Sequence, residues 1–491
     1  MNTRAFGAVD LGATSGRVML GRVGPGVLEL TEAHRFPNTP INRADGLYWD
    51  FAALLRGTVE GLCAAQELSG ERRLDSVGID SWAVDYGLLD ADGTLVEDPH
   101  HYRDPRTSAG LIASVHERIT AEQLYEVTGL QHLPFNTVFQ LAAAMNAPRF
   151  TLARTILPIP DLVTYRLTGT VGAEETNAST TGLFDATTRT WSKTVVGALG
   201  LDPTLLPPLR GPGTSAGTLL PGLVGDAGLA ADTPVTVVAS HDTASAVAAV
   251  PATGPGFAYI SCGTWSLVGL ELSAPVLTPA SRRANFTNEL GVDGTVRYLR
   301  NVMGLWLLSE SQRTWAGRGL RADTETVLRQ AAAAEPFGRV VDPDDPAFLA
   351  PGDIPGRIEE FCRRSDQRPP RSPGETVRCI LESLAIAHRQ ALRRAAELAD
   401  QDVDIVHLVG GGSRNELLCQ WTADATGLPV IAGPTEAAAI GNALVQARAQ
   451  GVIGDLSSMR RLVAETQQLR RYVPSGDRAA WDAAAARVAV T

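Results

Sequence analysis

Two glycine-rich stretches about half a chain apart, AVDLGATSGR at Ala8 to Arg17 and ISCGTWSLVG at Ile260 to Gly269, carry residue types able to grip phosphate. At the first, Asp10 offers a carboxylate to hydrated magnesium, Thr14 and Ser15 offer hydroxyl donors, and Arg17 offers a bidentate cation. Phe6, Ala8 and Leu11 precede these glycines and Val18, Leu20 and Val23 follow them, so strand-like apolar runs lie on both sides. A hairpin is expected. That argues against a Walker loop or a dinucleotide-binding glycine motif, both of which seat phosphate at a helix N-terminus. The single lysine, Lys193, sits in Trp-Ser-Lys, leaving none for a P-loop, a kinase strand lysine or a pyridoxal Schiff base. Phosphate must then be held by backbone amides, hydroxyls and magnesium. The same residues also make an ordinary hairpin turn in any sheet protein, and this motif alone leaves both readings open.

Asp242 follows a strand-like run, Thr233 to Ser240, and precedes small residues that begin a helix. A carboxylate so placed can be aimed and held as a general base. Aspartate is also a preferred N-cap, by position alone the commoner role, and His241 alone reads more often as structural. The segment GIDSWAVDYGLLD, Gly78 to Asp90, sets Asp80, Trp82 and Asp85 close together. Carbohydrate sites pair carboxylates for hydroxyls with aromatic rings for C–H faces, although a core tryptophan fits as well. Arg103, Asp104 and Arg106 in YRDPRT suit a structural ion-pair network. Asn301 in LRNVMGLWLLSE is expected at the edge of an apolar helix, as a hydroxyl ligand or a cap. Three glycines, Gly410 to Gly412, exceed what a turn needs and suit close approach of backbone to a nucleotide. Thr435 to Leu444 reads as a helix start whose small residues suit packing against an adenosine.

The elements that must position these residues alternate between strand-like and helix-like segments, so the chain is α/β. Leu74 to Leu89 is β-rich, with Asp80, Ser81 and Asp85 inserted as if lining a cleft. Pro203 to Pro221 reads as a surface excursion and Asp342 to Pro373 as a loop or loosely packed insertion. From Glu375 to Asp400, Val377, Leu381, Leu384, His388, Ala391, Ala395 and Leu398 recur at helical spacing, and a strand follows at Ile405 to Val409. Domains are expected over 1–243 and 244–450, with 451–491 as a tail packing on them.

With 491 residues, 44% of them hydrophobic, the chain can bury two large cores. A net charge of -11 without a basic run disfavours nucleic acid or an anionic membrane as partner. Five scattered cysteines show neither metal-ligand nor disulfide-framework spacing, and Asp10 follows Arg4 too closely for a secretory leader, so a cytoplasmic protein with reduced thiols is expected. The uncharged stretch Thr243 to Leu270 is broken by Pro251, Gly254, Pro255 and Gly256, and is expected as helix, turn and strand.

Together, VDLGATSGRV, HRFPN, GIDSWAVDYGLLD, YRDPRT, LPFNTVFQL, PDLVTYRLTG, TNASTT, SHDTASAVAAVP, YISCGTWSL, NFTNELG, NVMGLWLL, VGGGSRN and ADATGLPVIAGPTEA, in that order, resemble the FGGY carbohydrate kinases and, within that family, its rhamnulokinase branch. The resemblance covers nearly the whole chain. It implies two ribonuclease H-like, actin-like ATPase domains around a central ATP and sugar cleft, and ATP-dependent phosphorylation of L-rhamnulose at the C1 hydroxyl. Ala13, Thr14, Ser15, Gly16, Arg17, Thr264 and Gly411 would contact ATP, with Ser309 standing where glutamine is common. Ala83, His241, Asp242, Thr243 and Asn301 would contact the sugar, joined by Asp80 and Trp82, with Asp242 as proton acceptor and Asp10 reaching Mg2+ through water. Ala83 replaces a usual glycine and Cys262 a serine. Other ketoses such as L-fuculose or L-xylulose, a non-catalytic sugar-binding regulator, and an actin-like filament or chaperone ATPase are the competing readings; monomer and homodimer are both open.

Overall fold

The computed structural model describes residues 3–224, 228–320 and 322–488. Two compact units emerge: unit 1 gathers Met1–Thr253, Glu271–Tyr298 and Ala437–Gln467, and unit 2 gathers Gly254–Leu270, Leu299–Glu436 and Gln468–Thr491. In unit 1, β1 (Arg4–Leu11) and β2 (Ser15–Gly24) form the expected hairpin, and β3 (Val27–Pro37) extends it. Helix α1 (Phe51–Ser69), capped by the Asp50 side chain and ended by left-handed Gly70, packs on β2 and β3, with Gly57 against Phe36 and Gly61 against Val18. The strands β4 (Ser76–Ser81), β5 (Ser215–Thr218) and β6 (Pro234–Thr236) complete a sheet ordered β5-β6-β4-β1-β2-β3. β4 runs parallel to both β1 and β6, so the carboxyl ends of three strands share one edge. The segment expected as a surface excursion supplies the edge strand β5 and buries Ala216 and Leu219; its Gly and Thr content hid a short strand. Helix α2 (Asp242–Ala248) follows β6.

Unit 2 repeats the pattern. β7 (Phe257–Cys262) and β8 (Trp265–Leu272) form a second hairpin, followed by β9 (Val296–Met303), β10 (Ile405–Val409), β11 (Val430–Ala432) and β12 (Arg470–Tyr472). Their order is β9-β8-β7-β10-β11-β12, with β7, β10 and β11 parallel and β12 antiparallel at the edge. Asn301 therefore lies in β9, not at a helix edge, because the strand runs on to Met303 before α3 (Trp306–Gly317) begins. The stretch expected as a loop holds α4 (Ile354–Arg364): Asp353 caps it, Pro355 sits in its first turn, and Ile354, Ile358, Phe361 and Cys362 form its buried face. Helix α5 (Pro373–Ala399) includes the anticipated span, but from Thr376 to Ile386 every residue is buried, so it is a core helix over that length. Helix α6 (Glu416–Thr426) packs against it.

The chain returns to unit 1 with α7 (Ala437–Ala449), which packs on α2 and β1. A Cβ on Gly441 would lie 1.8 Å from the Ser245 carbonyl oxygen, so this glycine lets α7 and α2 approach closely. Among the described residues, no helix is long and apolar enough to cross a membrane, and no group of three His, Cys, Asp or Glu could hold a metal ion.

Candidate active site

Three carboxylates gather at the carboxyl ends of the parallel strands in unit 1, where open α/β sheets place their ligands. Asp10, near the end of β1, is in register with Arg17 across the hairpin and with Asp80 across the parallel pair. Arg17 donates to the same Asp10 oxygen through Nε at 2.9 Å and Nη2 at 2.6 Å. The chain bridges Ser81 to His241 in parallel, with the Ser81 amide donating to the Ser240 carbonyl at 2.9 Å, so Asp242 emerges one residue beyond this bridge.

These carboxylates differ in access. Asp10 is 3% and Asp80 0% exposed, whereas the Asp242 side chain is 31% exposed. Asp80 accepts from Asn442 Nδ2 at 2.6 Å. Desolvation pushes its pKa well above the usual carboxylate range, and the charges of Asp10 and Asp242 add to this against the Asn442 hydrogen bond. It presents no surface to a sugar, contrary to the expectation for it. Asp242 is not the helix cap: His241 occupies that position without a side-chain cap bond, and Asp242 Oδ1 accepts from Thr243 Oγ1 at 3.1 Å and stands 3.5 Å from His241 Nε2. Its pKa is raised, chiefly by desolvation; His241 opposes the shift and the charge of Asp10 adds to it. Thr243 itself is buried.

Trp82 is also inward: its indole donates to Asp85 at 3.0 Å and its ring lies 4.3 Å from that of Trp49. Asp85 further accepts from Trp49 Nε1 at 2.6 Å, the Tyr102 amide at 3.1 Å and Gln140 Nε2 at 2.9 Å. These bonds clamp the loop bearing half-buried Ala83 and Val84, whose φ is +68°. Asp104 accepts the amides of Leu47 and Arg106, in keeping with a structural role for YRDPRT.

At the first glycine turn Thr14 is exposed, Ala13, Ser15 and Arg17 are half-buried, and Gly16 is buried. Asn38 fixes the turn: its side chain donates to the Gly12 carbonyl at 2.9 Å and its amide to the Thr14 carbonyl at 3.1 Å. In unit 2 the corresponding turn exposes Gly263 and half-buries Thr264, whose carbonyl accepts from the Gly304 and Trp306 amides at 3.1 and 3.2 Å. Ser309, on α3, is exposed, and Asn301 is half-buried. At the triple glycine, a Cβ on Gly412 would meet Cys262 Sγ at 2.3 Å, while one on Gly411 meets nothing within 4 Å. Packing explains the first glycine and leaves the second free for another task. A cavity of about 440 Å³ between the helices Ala109–His116 and Ala121–Thr128 holds none of these residues.

The residues missed from sequence are supports. Glu174, 0% exposed, accepts from the Ser240 amide and hydroxyl, both at 2.9 Å, and so anchors the entry to Asp242. Glu289 and Arg297 back His241. Charge inside strand-like runs, NFTNELG and TVRYLRN, was the available signal.

This architecture matches solved structures. It superposes on ligand-bound xylulose kinase from Lactobacillus acidophilus with a TM-score of 0.78 at 16% identity, covering 99% of this chain and 96% of that one. Plasmodium falciparum glycerol kinase with ADP gives a TM-score of 0.79 at 14% identity, covering 99% and 97%. In sequence, the chain is 44% identical to a rhamnulokinase of Bacteroides thetaiotaomicron over 98% of its own length and 97% of the relative's. It is 37% identical to that of Bacillus subtilis, covering 96% and 95%. Models of the FGGY family of carbohydrate kinases match residues 5–249 as the N-terminal domain and 258–450 as the C-terminal domain. Two units with one repeated strand order, glycine hairpins in both and carboxylates in the first are thus those of a member of the FGGY family of carbohydrate kinases, to which this chain belongs.

Proposed function

We propose that this kinase transfers the γ-phosphoryl group of ATP to the C1 hydroxyl of L-rhamnulose, giving L-rhamnulose 1-phosphate and ADP in the cytoplasm. The full-length likeness to rhamnulokinases supports the substrate, and the open carboxylate of Asp242 at the strand ends carries the chemistry. Asp242 takes the C1 hydroxyl proton as the oxygen attacks phosphorus; the new O–P bond forms, the bond to the β–γ bridging oxygen breaks, and ADP leaves. The raised pKa of Asp242 makes it a better proton acceptor than an ordinary aspartate. Thr14, Ser15 and the amides of Ala13 and Gly16 are the donors for phosphate in unit 1; Thr264 and Gly411 serve the nucleotide in unit 2. Magnesium usually keeps several waters and binds one or two carboxylates plus phosphates, and Asp10, a nearly buried carboxylate already offset by Arg17, fits such a water-mediated role. That ion would supply charge neutralisation at the transferring group.

A panel of L-rhamnulose, L-fuculose, L-xylulose and D-xylulose, read by coupled ADP release with 31P NMR of the product, tests the reading. L-Rhamnulose should give the highest kcat/KM and a C1 phosphate ester. Asp242→Asn should keep ATP and sugar binding but lose about 10³-fold in kcat, roughly 4 kcal/mol. Preference for another ketose moves the substrate within the family; near-normal turnover by Asp242→Asn would sink the base.

A further inference from the structure

Between Trp82 and Asp85 the backbone folds into a tight turn centred on a valine. The Asp85 amide donates to the Ala83 carbonyl at 2.9 Å, and Val84 between them has φ +68°. A γ-turn of this hand is rare and strained, and a β-branched residue at its centre is a genuine outlier. Such a conformation persists only where its surroundings over-determine it. The restraint comes from one helix, Thr137–Ala144. Thr137 Oγ1 donates to the Val84 carbonyl at 2.6 Å; Gln140 Nε2 donates to Asp85 Oδ1 at 2.9 Å and lies 3.3 Å from the same carbonyl. Arg106 sets Gln140 in turn, its Nη2 donating to Oε1 at 2.7 Å. Thr137 and Gln140 are both buried.

The turn fixes the direction of two N–H groups. In a trans peptide N–H and C=O point opposite ways. Ser81 Oγ donates to the Trp82 carbonyl at 2.7 Å and the Asp85 amide to the Ala83 carbonyl, so the amides of Ala83 and Val84 face away from these partners. Among the described residues neither amide donates to a protein acceptor, and both residues are half-buried. The turn lies just past the Ser81–His241 bridge, at the strand edge that bears Asp10 and Asp242. A backbone N–H without an acceptor is uncommon, and two in succession beside carboxylates suit a neutral oxygen, a hydroxyl or carbonyl of a sugar, because an anion there would be repelled. We propose that Thr137 and Gln140 are positioning residues for the ketose: by pinning the Val84 carbonyl and Asp85 they hold the strained turn, which keeps the Ala83 and Val84 amides aimed at a sugar oxygen. The inference rests on the ketose lying against Ala83.

The test uses the full chain with L-rhamnulose and ATP. Thr137→Val removes the hydroxyl and keeps the shape; it should raise the ketose KM on the order of tenfold, with kcat within about threefold and KM for ATP within about twofold, the pattern of a contact made equally in ground and transition state. Thr137→Ser, which supplies the hydroxyl again, should bring the ketose KM to within about threefold of wild type. Glycine adopts positive φ unaided, so adding Val84→Gly to Thr137→Val should also recover the ketose KM to within about threefold, a repair that general damage to the fold would not receive. An unchanged ketose KM in Thr137→Val, a loss spread equally over kcat and both KM values, or no recovery in the double variant overturns the proposal. If Thr137→Val does not fold, 15N-valine labelling of the wild type decides: the Val84 amide signal, identified by its loss in Val84→Gly, should shift with L-rhamnulose and not with ATP alone. A signal indifferent to the ketose overturns the proposal as well. If another ketose of the panel is preferred, it takes the place of L-rhamnulose in every arm and only the choice of substrate changes. Wild-type turnover with a silent Thr137→Val defeats this inference alone; no turnover of any ketose defeats the reading beneath it.

Discussion

Replacing Asp85 by asparagine should make the protein more stable at neutral pH relative to acid, even though it touches four hydrogen bonds. The carboxyl of Asp85 is pushed from 3.8 up to about 6 by burial, with the donors Gln140, Trp49 and Trp82 pulling the other way. A folded-state pKa above the unfolded one means that the native protein holds a proton more tightly, so stability from this group falls as pH rises from about 4 through about 6 and levels off about one unit higher. A shift of about 2 pK units at about 1.4 kcal/mol each gives a loss of about 3 kcal/mol across the window. Asparagine has no such titration and can still accept the indole N–H groups of Trp49 and Trp82 and the Tyr102 amide through its oxygen. Urea unfolding at half-unit steps from pH 4 to 7 gives ΔG for both proteins, and the difference, variant minus wild type, should climb by about 2 kcal/mol over that range, the rest of the change falling below pH 4. A flat difference, or one that falls, means that the carboxylate is fully compensated by its donors and that the loop bearing Ala83 is not held by a strained charge.

Gly441→Ala should cost about 1–3 kcal/mol and lower Tm of unit 1, because the new methyl meets the Ser245 carbonyl backbone at 1.8 Å and no flexible side chain can yield; calorimetry checks it, and an unchanged Tm would mean α7 and α2 are not in tight contact. Gly411→Ala is the converse case: its φ is not left-handed and nothing lies within 4 Å of the added methyl, so Tm should hold within about 1 °C while KM for ATP rises about tenfold. An unaltered KM for ATP there removes Gly411 from the nucleotide contacts.

The first hairpin was legible because apolar runs on both sides of Gly12 have one local solution, and Ile405–Val409 was legible for the same reason; the second hairpin, expected only as a turn and a strand, was not. What failed was cut by a competing signal. Pro355 reads as a breaker until Asp353 is seen to cap a helix in which proline occupies the first turn. Asn301 sits in a run apolar enough for either helix or strand, and only sheet pairing chooses. Asp80 and Trp82 lay correctly in a motif but were given the wrong exposure, since periodicity says which residues share a strand face and not whether a helix such as α7 covers it. The supports Glu174, Glu289 and Arg297 come from segments far from Asp242 in sequence, so their convergence was invisible before the chain was folded.

The repeated strand order makes the divergence of the two units informative. In unit 1 the three parallel strands end in or beside Asp10, Asp80 and Asp242; in unit 2 the equivalent ends carry Cys262, Gly410 and Gly433. Three carboxylates on one sheet edge repel one another and would repel phosphate. The edge tolerates them because Arg17 offsets Asp10 and desolvation favours the neutral form of Asp80, which leaves Asp242 as the accessible carboxylate. Strand ends that carry no charge make no such repulsion and suit a polyanionic nucleotide. The two sheets share a strand plan, and acid stands on the carboxyl edge of one and not of the other, as the proposed division between proton transfer and phosphate binding requires.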